Sequence, residues 1–298
     1  MSEKLYIGVD GGATKCIVRV ENAAGELLGR ESSGCANIRI SPTQAWESIF
    51  LALNKILQPL QISLQDKKRF YVGMGLAGCE IEEAYQAFMN VEKEFATLKV
   101  TSDAHTACLG AHNGLDGAII IAGTGVVGFQ VQHGHTNKIG GWGFPHDDIG
   151  GGAWIGLQAM SQTLQSLDGR LSPSSLTTAI YNHFKQNHNA MVSWANQANS
   201  TAFAELAPMV IAQAKAGEPL AENILKHAAK AIDQMNCALI NAQSNPQEIL
   251  PCTFIGGVAP FVEPYLSDAL RSRLRPAFAT PDAGAVMLVR ASQSTAIF

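Results

Sequence analysis

In the stretch Leu5 to Val20, LYIGVDGGATKCIVRV, two runs rich in Ile and Val stand on either side of Asp10-Gly11-Gly12-Ala13-Thr14-Lys15. Apolar runs around a glycine turn predict a β-hairpin. Gly11 and Gly12 let the backbone take conformations closed to other residues, and let N–H groups approach a ligand closely. Thr14 adds a hydroxyl, Lys15 a cation and Asp10 a carboxylate. Together these groups suit a magnesium-bound polyphosphate. The stretch is not a Walker loop, which is GxxxxGK[ST] between a strand and a helix. Taken alone, the six residues fit an ordinary tight hairpin at least as well.

Beyond this stretch, Gly25 marks a second turn and Glu26 to Glu31 a third strand, followed by the polar loop Gly34-Cys35-Ala36-Asn37. Ser41-Pro42 is a helix start, a capping hydroxyl with proline at the first helical position. Trp46, Ile49, Phe50, Leu53, Ile56 and Leu57 then form one apolar stripe. Phe70 to Leu76 reads as a strand ending in Ala77-Gly78, and Ala84, Phe88, Val91 and Phe95 as the helix after it. The short strand Leu98 to Thr101 runs into Ser102-Asp103, and Ala104 to Asn113 is predicted helical. Asp103 therefore falls where a strand's carboxyl end meets a helix start, the place where open α/β sheets bind ligands. A helix N-cap is the other use for it.

Asn113-Gly114-Leu115-Asp116-Gly117 is the candidate domain boundary. Beyond it, Ala118 to Gln132 repeats the opening device, with IIIA, the turn Gly123-Thr124-Gly125, then VVGFQV. The two hairpins lie about 110 residues apart, a weak internal duplication that points to two half-sites gripping one ligand. Ile139 to Gly156, IGGWGFPHDDIGGGAWIG, holds seven glycines in eighteen residues. At ~1 kcal/mol per glycine in a helix interior, a functional loop is expected there. Helices are predicted on Phe203 to Ala214 and Leu225 to Leu239, then a strand Thr253 to Ile255 closed by Gly256-Gly257, and helices around Val262 to Leu274 and Ala283 to Ala291.

The bulk properties agree with a compact α/β protein. The 298 residues are 47% hydrophobic and 15% charged, enough for two domains with substantial cores. A net charge of −4 gives no electrostatic reason to bind nucleic acid or an acidic membrane. Neither a signal-peptide pattern at MSEKLYIGV nor an apolar run of membrane-spanning length is found, so a cytoplasmic protein is expected. The six cysteines are scattered without a CxxC pair, so neither a disulfide framework nor a zinc cage is expected. His146-Asp147-Asp148 and His105-x-x-Cys108 lack four-ligand zinc spacing.

Taken in order, Asp10-Gly11-Gly12-x-Thr14-Lys15, Asn37, Asp103, Gly123-Thr124-Gly125, Gly141-Trp142-Gly143 with Asp148, and Gly256-Gly257 resemble the N-acetylglucosamine and glucosamine kinases of the BadF/BadG type. These are members of the actin, hexokinase and Hsp70 ATPase superfamily. The resemblance runs over essentially the whole chain. It implies two RNase H-like α/β domains around a cleft, residues 1–113 joined by a last helix, 286–298, and residues 114–285. It implies ATP and Mg²⁺ as cofactors and a small amino sugar as partner, phosphorylated on its 6-hydroxyl. A homodimer is compatible with it.

By resemblance, Asp103 is the general base and also contacts the sugar. Asp10 holds magnesium, directly or through water. Gly11, Gly12 and Thr14 meet the β- and γ-phosphates, with Lys15 at a basic position that a solvated strand residue would also explain. Gly123, Thr124 and Gly125 grip phosphate from the other domain. Gly256 and Gly257 lie against the adenosine, or simply turn a strand into a helix. Asn37, Gly141, Trp142, Gly143 and Asp148 are the sugar-binding candidates, with Trp142 alternatively a core residue. Two positions depart from the pattern: Ala13 stands where a third glycine is common, and Gly151 where a serine is. Two rivals are an ATPase that activates a partner enzyme, which would carry cysteines for an iron–sulfur cluster, and a sugar sensor without turnover. Neither glucosamine nor N-acetylglucosamine is singled out.

Overall fold

The structure, a computed structural model, describes residues 3–91, 94–245 and 248–294. It divides into two compact units, Met1–Gly117 with Gln130–Thr136 and Pro276–Phe298, and Ala118–Phe129 with Asn137–Arg275.

The first unit is built on strands β1 (Leu5–Gly11), β2 (Cys16–Glu21), β3 (Leu27–Ser33), β4 (Phe70–Leu76) and β5 (Thr97–Thr101), in the sheet order β3-β2-β1-β4-β5. β1 pairs antiparallel with β2 and parallel with β4, which pairs parallel with β5. Residues of alternate parity along β1 face opposite sides of the sheet. Leu5, Ile7 and Val9 join one buried cluster with Trp46, Ile49 and Leu53 of helix α1 (Pro42–Leu57). Ser41 caps that helix by accepting the Gln44 N–H, as its sequence predicts. Helix α2 (Glu82–Met89) is shorter than the apolar spacing implied: Val91 lies beyond its end, exposed, and Phe95 instead stacks on Trp46 with ring centroids 6.0 Å apart.

The other face of this sheet carries helices α3 (Asp103–Ala111) and, from the chain's end, α12 (Pro281–Ser294). The expected last helix began at residue 286; it starts five residues earlier, and residues 295–298 of that expectation lie outside the described residues. α12 approaches until its backbone meets strand glycines. A Cβ on Gly8 would sit 2.0 Å from the Asp282 carbonyl oxygen, and one on Gly73 1.9 Å from that of Ala285. Glycine in a strand interior marks such an approach of another backbone. Gly8→Ala should therefore lower unfolding stability by roughly 1–3 kcal/mol through overpacking, read as a shifted denaturant midpoint.

The second unit's helices pack around β6 (Gly117–Ala122), β7 (Val126–Gln132), β8 (His135–Gly140) and β9 (Cys252–Ile255), in the order β8-β7-β6-β9. Strand for strand this repeats β3-β2-β1-β4, so the suspected duplication is visible as topology. β6 and β9 are parallel, Ala118 opposite Cys252 and Ile121 opposite Ile255. Helices α4 (Gly152–Leu167), α5 (Ser175–His183), α6 (His188–Gln197), α7 (Ser200–Ala204), α8 (Ala207–Lys215), α9 (Pro219–Asn241), α10 (Ala259–Val262) and α11 (Asp268–Arg273) complete it.

The glycine-rich loop is shorter than its composition predicted, because β8 reaches Gly140 and α4 begins at Gly152. Gly156 is a helical contact: a Cβ there would lie 1.9 Å from the Phe203 carbonyl oxygen. The stripe from Phe203 to Ala214 is two helices, since Pro208 at the second start cannot continue a helix from α7. The span Val262 to Leu274 is likewise broken, into α10, a 3₁₀ turn containing Pro264, and α11. All six cysteines are free thiols, Cys16, Cys108 and Cys252 buried, Cys237 exposed, and Cys35 and Cys79 between. No helix among the described residues is long and apolar enough to cross a membrane.

Candidate functional site

In the first unit, β1, β4 and β5 run parallel, so their carboxyl ends share one edge of the sheet. β1 ends at Asp10-Gly11, β4 leads into Ala77-Gly78, and β5 into Asp103. Ligands bind at such an edge. Ser102, not Asp103, caps α3, its hydroxyl accepting the His105 N–H at 3.2 Å. Asp103 is the first residue of the helix, half-buried, with Oδ1 accepting the Ala104 N–H at 2.8 Å. A Cβ on Gly75 would lie 1.8 Å from Thr106 Oγ1, so α3 is seated directly on β4.

Asp10 and Asp103 are electrostatic neighbours. The Asp10 carboxyl is pushed up to about 6, by burial first and then by the negative charges of Asp103 and Asp282, against the weaker pull of Lys15 and Arg30. Ala13, Thr14 and Lys15 are exposed at the tip of the hairpin. Gly11 and Gly12 each have a structural duty here. The Gly12 N–H is donated to the Lys15 carbonyl at 2.9 Å, closing the turn. A Cβ on Gly11 would stand 2.5 Å from Leu76 Cδ2 and 3.0 Å from Ala36 Cβ, so packing explains that glycine. Ala13 is not among the residues with positive φ, which explains why a side chain is tolerated there.

Asn37 lies against the end of β4. Its Oδ1 accepts the Arg39 N–H at 3.0 Å, and a Cβ on Gly78 would come within 2.8 Å of that oxygen. Ile38 N–H donates to the Ala77 carbonyl at 3.1 Å. Arg30 and Asp282, which no sequence motif marks, complete this region with a bidentate ion pair of 2.8 and 3.0 Å.

In the second unit, both glycine turns lie at the carboxyl end of the parallel pair β6/β9. Gly256, at φ +114°, has space for no side chain, because a Cβ would meet the Ala122 carbonyl oxygen at 2.2 Å. The next residues but one return a hydrogen bond, Val258 N–H to the same carbonyl at 3.0 Å. Gly123, Thr124 and Gly257 open on a cavity of about 580 Å³. Its apolar wall comes from Ala207, Pro208, Ile211, Val258 and Phe261, with the Lys215 ammonium 4.6 Å from the Phe261 ring centroid. The helical residues of this wall escaped sequence reasoning, since their spacing reads as ordinary helix packing.

The loop from Gly141 to Gly151 has Gly141, Gly143 and Gly150 at positive φ. Trp142 is 82% exposed, which excludes a core role; its backbone N–H donates to Asp147 Oδ2 at 3.0 Å. Asp148, at φ +63°, turns its carboxylate onto the backbone beside it, accepting the Val126 N–H at 3.3 Å. Burial raises its pKa above the ordinary carboxylate value, against the opposing effect of N–H donors from Val126 and Phe144. Cys108 Sγ lies 3.3 Å from the Gly117 carbonyl, and among the described residues no three His, Cys, Asp or Glu side chains gather as a metal site.

Comparison with known proteins places this geometry among relatives. Residues 7–281 match the model of the BadF/BadG/BcrA/BcrD ATPase family. The chain is similar to glucosamine kinase GspK of Vibrio cholerae, 37% identical over 234 residues, 78% of this chain and 80% of the relative. It is 27% identical to the N-acetyl-D-glucosamine kinase of Dictyostelium discoideum, over 86% of each chain. The crystal structure of a candidate N-acetylglucosamine kinase from Chromobacterium violaceum matches with TM-score 0.88 and 30% identity, covering 96% of this chain and 99% of that one.

Proposed function

The chain belongs to the BadF/BadG/BcrA/BcrD ATPase family, and from that premise we propose that it is an ATP-dependent hexosamine kinase acting on the 6-hydroxyl of glucosamine or N-acetylglucosamine. The observation that carries the nucleotide half is the 580 Å³ cavity of the second unit, walled by apolar side chains and bordered by both glycine turns. Its size and lining suit an adenosine, with a few polar groups fixing orientation. Thr124 and the amides beside it then face the phosphates, and Gly256-Gly257 passes against the nucleoside.

Phosphoryl transfer needs positioning, charge neutralisation and a base for the hydroxyl proton. Asp103 takes that proton from the sugar as its oxygen forms the new P–O bond, while the bond from the γ-phosphorus to the bridging oxygen breaks and ADP leaves. Thr14 and Lys15 contribute a hydroxyl and a cation to the phosphates. Asn37, whose Oδ1 is held by Arg39, offers Nδ2 to the sugar, and Trp142 offers an apolar face.

The donor set at the β1 edge fits Mg²⁺. That ion takes one or two carboxylates, keeps several waters and completes its shell with phosphate oxygens. A dication also relieves the crowding that pushes Asp10 up to about 6. Asp10 would hold it, and when bound it would neutralise charge on the phosphates. A small-molecule substrate and a protein working in the cytoplasm, where ATP is at hand, follow from the same assignment.

The test is ADP release measured over glucosamine, N-acetylglucosamine, glucose and N-acetylmannosamine. Stimulation by the first or second is expected; none by any sugar counts against the kinase. Ile211→Trp should fill the cavity, raising KM for ATP by roughly tenfold or more while KM for the sugar holds. An unchanged KM for ATP would remove the nucleotide from that cavity.

A further inference from the structure

The first unit holds a cavity of its own, of about 350 Å³, a volume at the lower end of the range for small-molecule sites. Its walls come from β5, the later turns of α3 and α12, the link after α3 and the turn after β7. Lys99 stands opposite Gly73 in the β4/β5 register, and Gly73 faces α12, where a Cβ would strike the Ala285 carbonyl. Paired residues of neighbouring strands share a face of the sheet. The Lys99 side chain therefore rises on the α12 side and reaches the cavity. Asp116 supplies a carboxylate. Its Oδ2 accepts the His133 N–H at 2.9 Å, which ties the link after α3 to the β7–β8 turn. Among the described residues nothing donates to its Oδ1, and Lys99 forms no ion pair, with Asp116 or any other group. His105 holds Nδ1 2.9 Å from Thr101 Oγ1, and burial lowers its pKa, so the ring is neutral near pH 7. The cavity thus presents one positive and one negative charge, not paired with each other, beside the apolar side chains of Leu109, Val131, Met287 and Leu288.

We propose that this cavity binds a free α-amino acid with an apolar side chain, its carboxylate on Lys99, its ammonium on Asp116 and its side chain against Leu109, Met287 and Leu288. Only a zwitterion answers both charges. A plain organic acid would bring a like charge to Asp116, and a plain amine would leave Lys99 unmet. A sugar would bury hydroxyls on the apolar wall without partners, which is costly. The site goes beyond the kinase assignment and does not rest on it. Leu109 lies six positions along α3 from Asp103, about 9 Å at 1.5 Å per residue.

The experiment is a ligand-observed NMR titration of the full chain with L-phenylalanine and with L-leucine, in the absence of nucleotide and sugar. One of the two should saturate with a dissociation constant of about 1 mM or tighter. For whichever binds, the analogue lacking the ammonium (3-phenylpropionate or 4-methylpentanoate) and the one lacking the carboxylate (phenethylamine or 3-methylbutylamine) should each bind about tenfold more weakly or worse, one charged hydrogen bond having been lost. Lys99→Met should weaken the amino acid by a similar factor and leave sugar-dependent ADP release without amino acid unchanged. Leu288→Trp should fill the cavity and abolish binding; if that variant does not fold, Lys99→Met and Asp116→Asn carry the test, since Asn still accepts the His133 N–H. Failure of both amino acids to saturate by about 10 mM would overturn the site. Binding that none of these variants weakens would overturn it too, by placing the ligand elsewhere. Lys99-dependent binding of the organic acid as tight as that of the amino acid would overturn the zwitterion. Because the titration contains neither ATP nor sugar, its failure is separate from failure of the kinase reading, which ADP release measures.

Discussion

Asp103→Asn should lower kcat by roughly 10²–10⁴-fold, the usual worth of a general base, and leave sugar affinity nearly unchanged. The substitution is close to isosteric. Its side-chain oxygen still accepts the Ala104 N–H that Asp103 accepts at 2.8 Å. Helix α3 keeps its start, because Ser102 supplies the cap. What is lost is the ability to accept a proton as the hydroxyl attacks. The loss therefore falls on kcat and on kcat/KM alike, the pattern of an interaction made in the transition state. Rapid-quench turnover with parallel sugar titration measures both, and near-normal turnover would remove Asp103 from the role of base.

Arg30→Ala should produce the largest change in stability, on the order of 2–3 kcal/mol. Breaking a buried pair by removing one partner typically costs more than that, 3–5 kcal/mol, but the Arg30 side chain is 40% exposed while Asp282 is fully buried, so the penalty is discounted. The variant strands a carboxylate beside Asp10 at the start of α12. The effect also has a pH signature. Burial raises the Asp282 pKa, but hydrogen bonds from Arg30 and Thr280 and the Arg30 charge outweigh it, holding the folded carboxyl below its ordinary value of 3.8. A carboxylate depressed in the fold contributes stability that is complete above its unfolded pKa and is lost as pH falls through the folded one. The gap between Arg30→Ala and the unsubstituted protein should thus be widest at neutral pH and shrink as pH falls through the carboxylate range, the buried, stranded Asp282 of the variant taking up its proton before the paired one does. Chemical denaturation across pH measures it; a gap that is independent of pH would show that Arg30 acts by packing alone.

Much of the fold was legible because it is local. β4 occupies Phe70–Leu76 as its apolar run predicts, Ser41-Pro42 starts α1, and the glycine turns close both hairpins. The placement of Asp10 and Asp103 at one sheet edge follows from parallel strands ending beside one another. What escaped depends on partners distant in sequence. Arg30 and Asp282 are 252 positions apart, and no spacing rule connects them. The cavity wall on α8 and α10 could not be told from core positions, since a residue facing a void has the same helical period as one facing a strand. Glycines were the most ambiguous letters. Gly11 makes room for Leu76, Gly8 and Gly73 for α12, and Gly156 for Phe203, where sequence alone offered only flexibility or phosphate approach.

The proposed reaction places phosphate from ATP on the 6-oxygen of an amino sugar. Phosphorus NMR of the reaction of the full chain with MgATP and glucosamine or N-acetylglucosamine reads this directly. The expected products are ADP and a phosphomonoester coupled to the C6 protons of one of the two sugars; ADP and inorganic phosphate alone, at a rate that neither sugar changes, would overturn the kinase assignment.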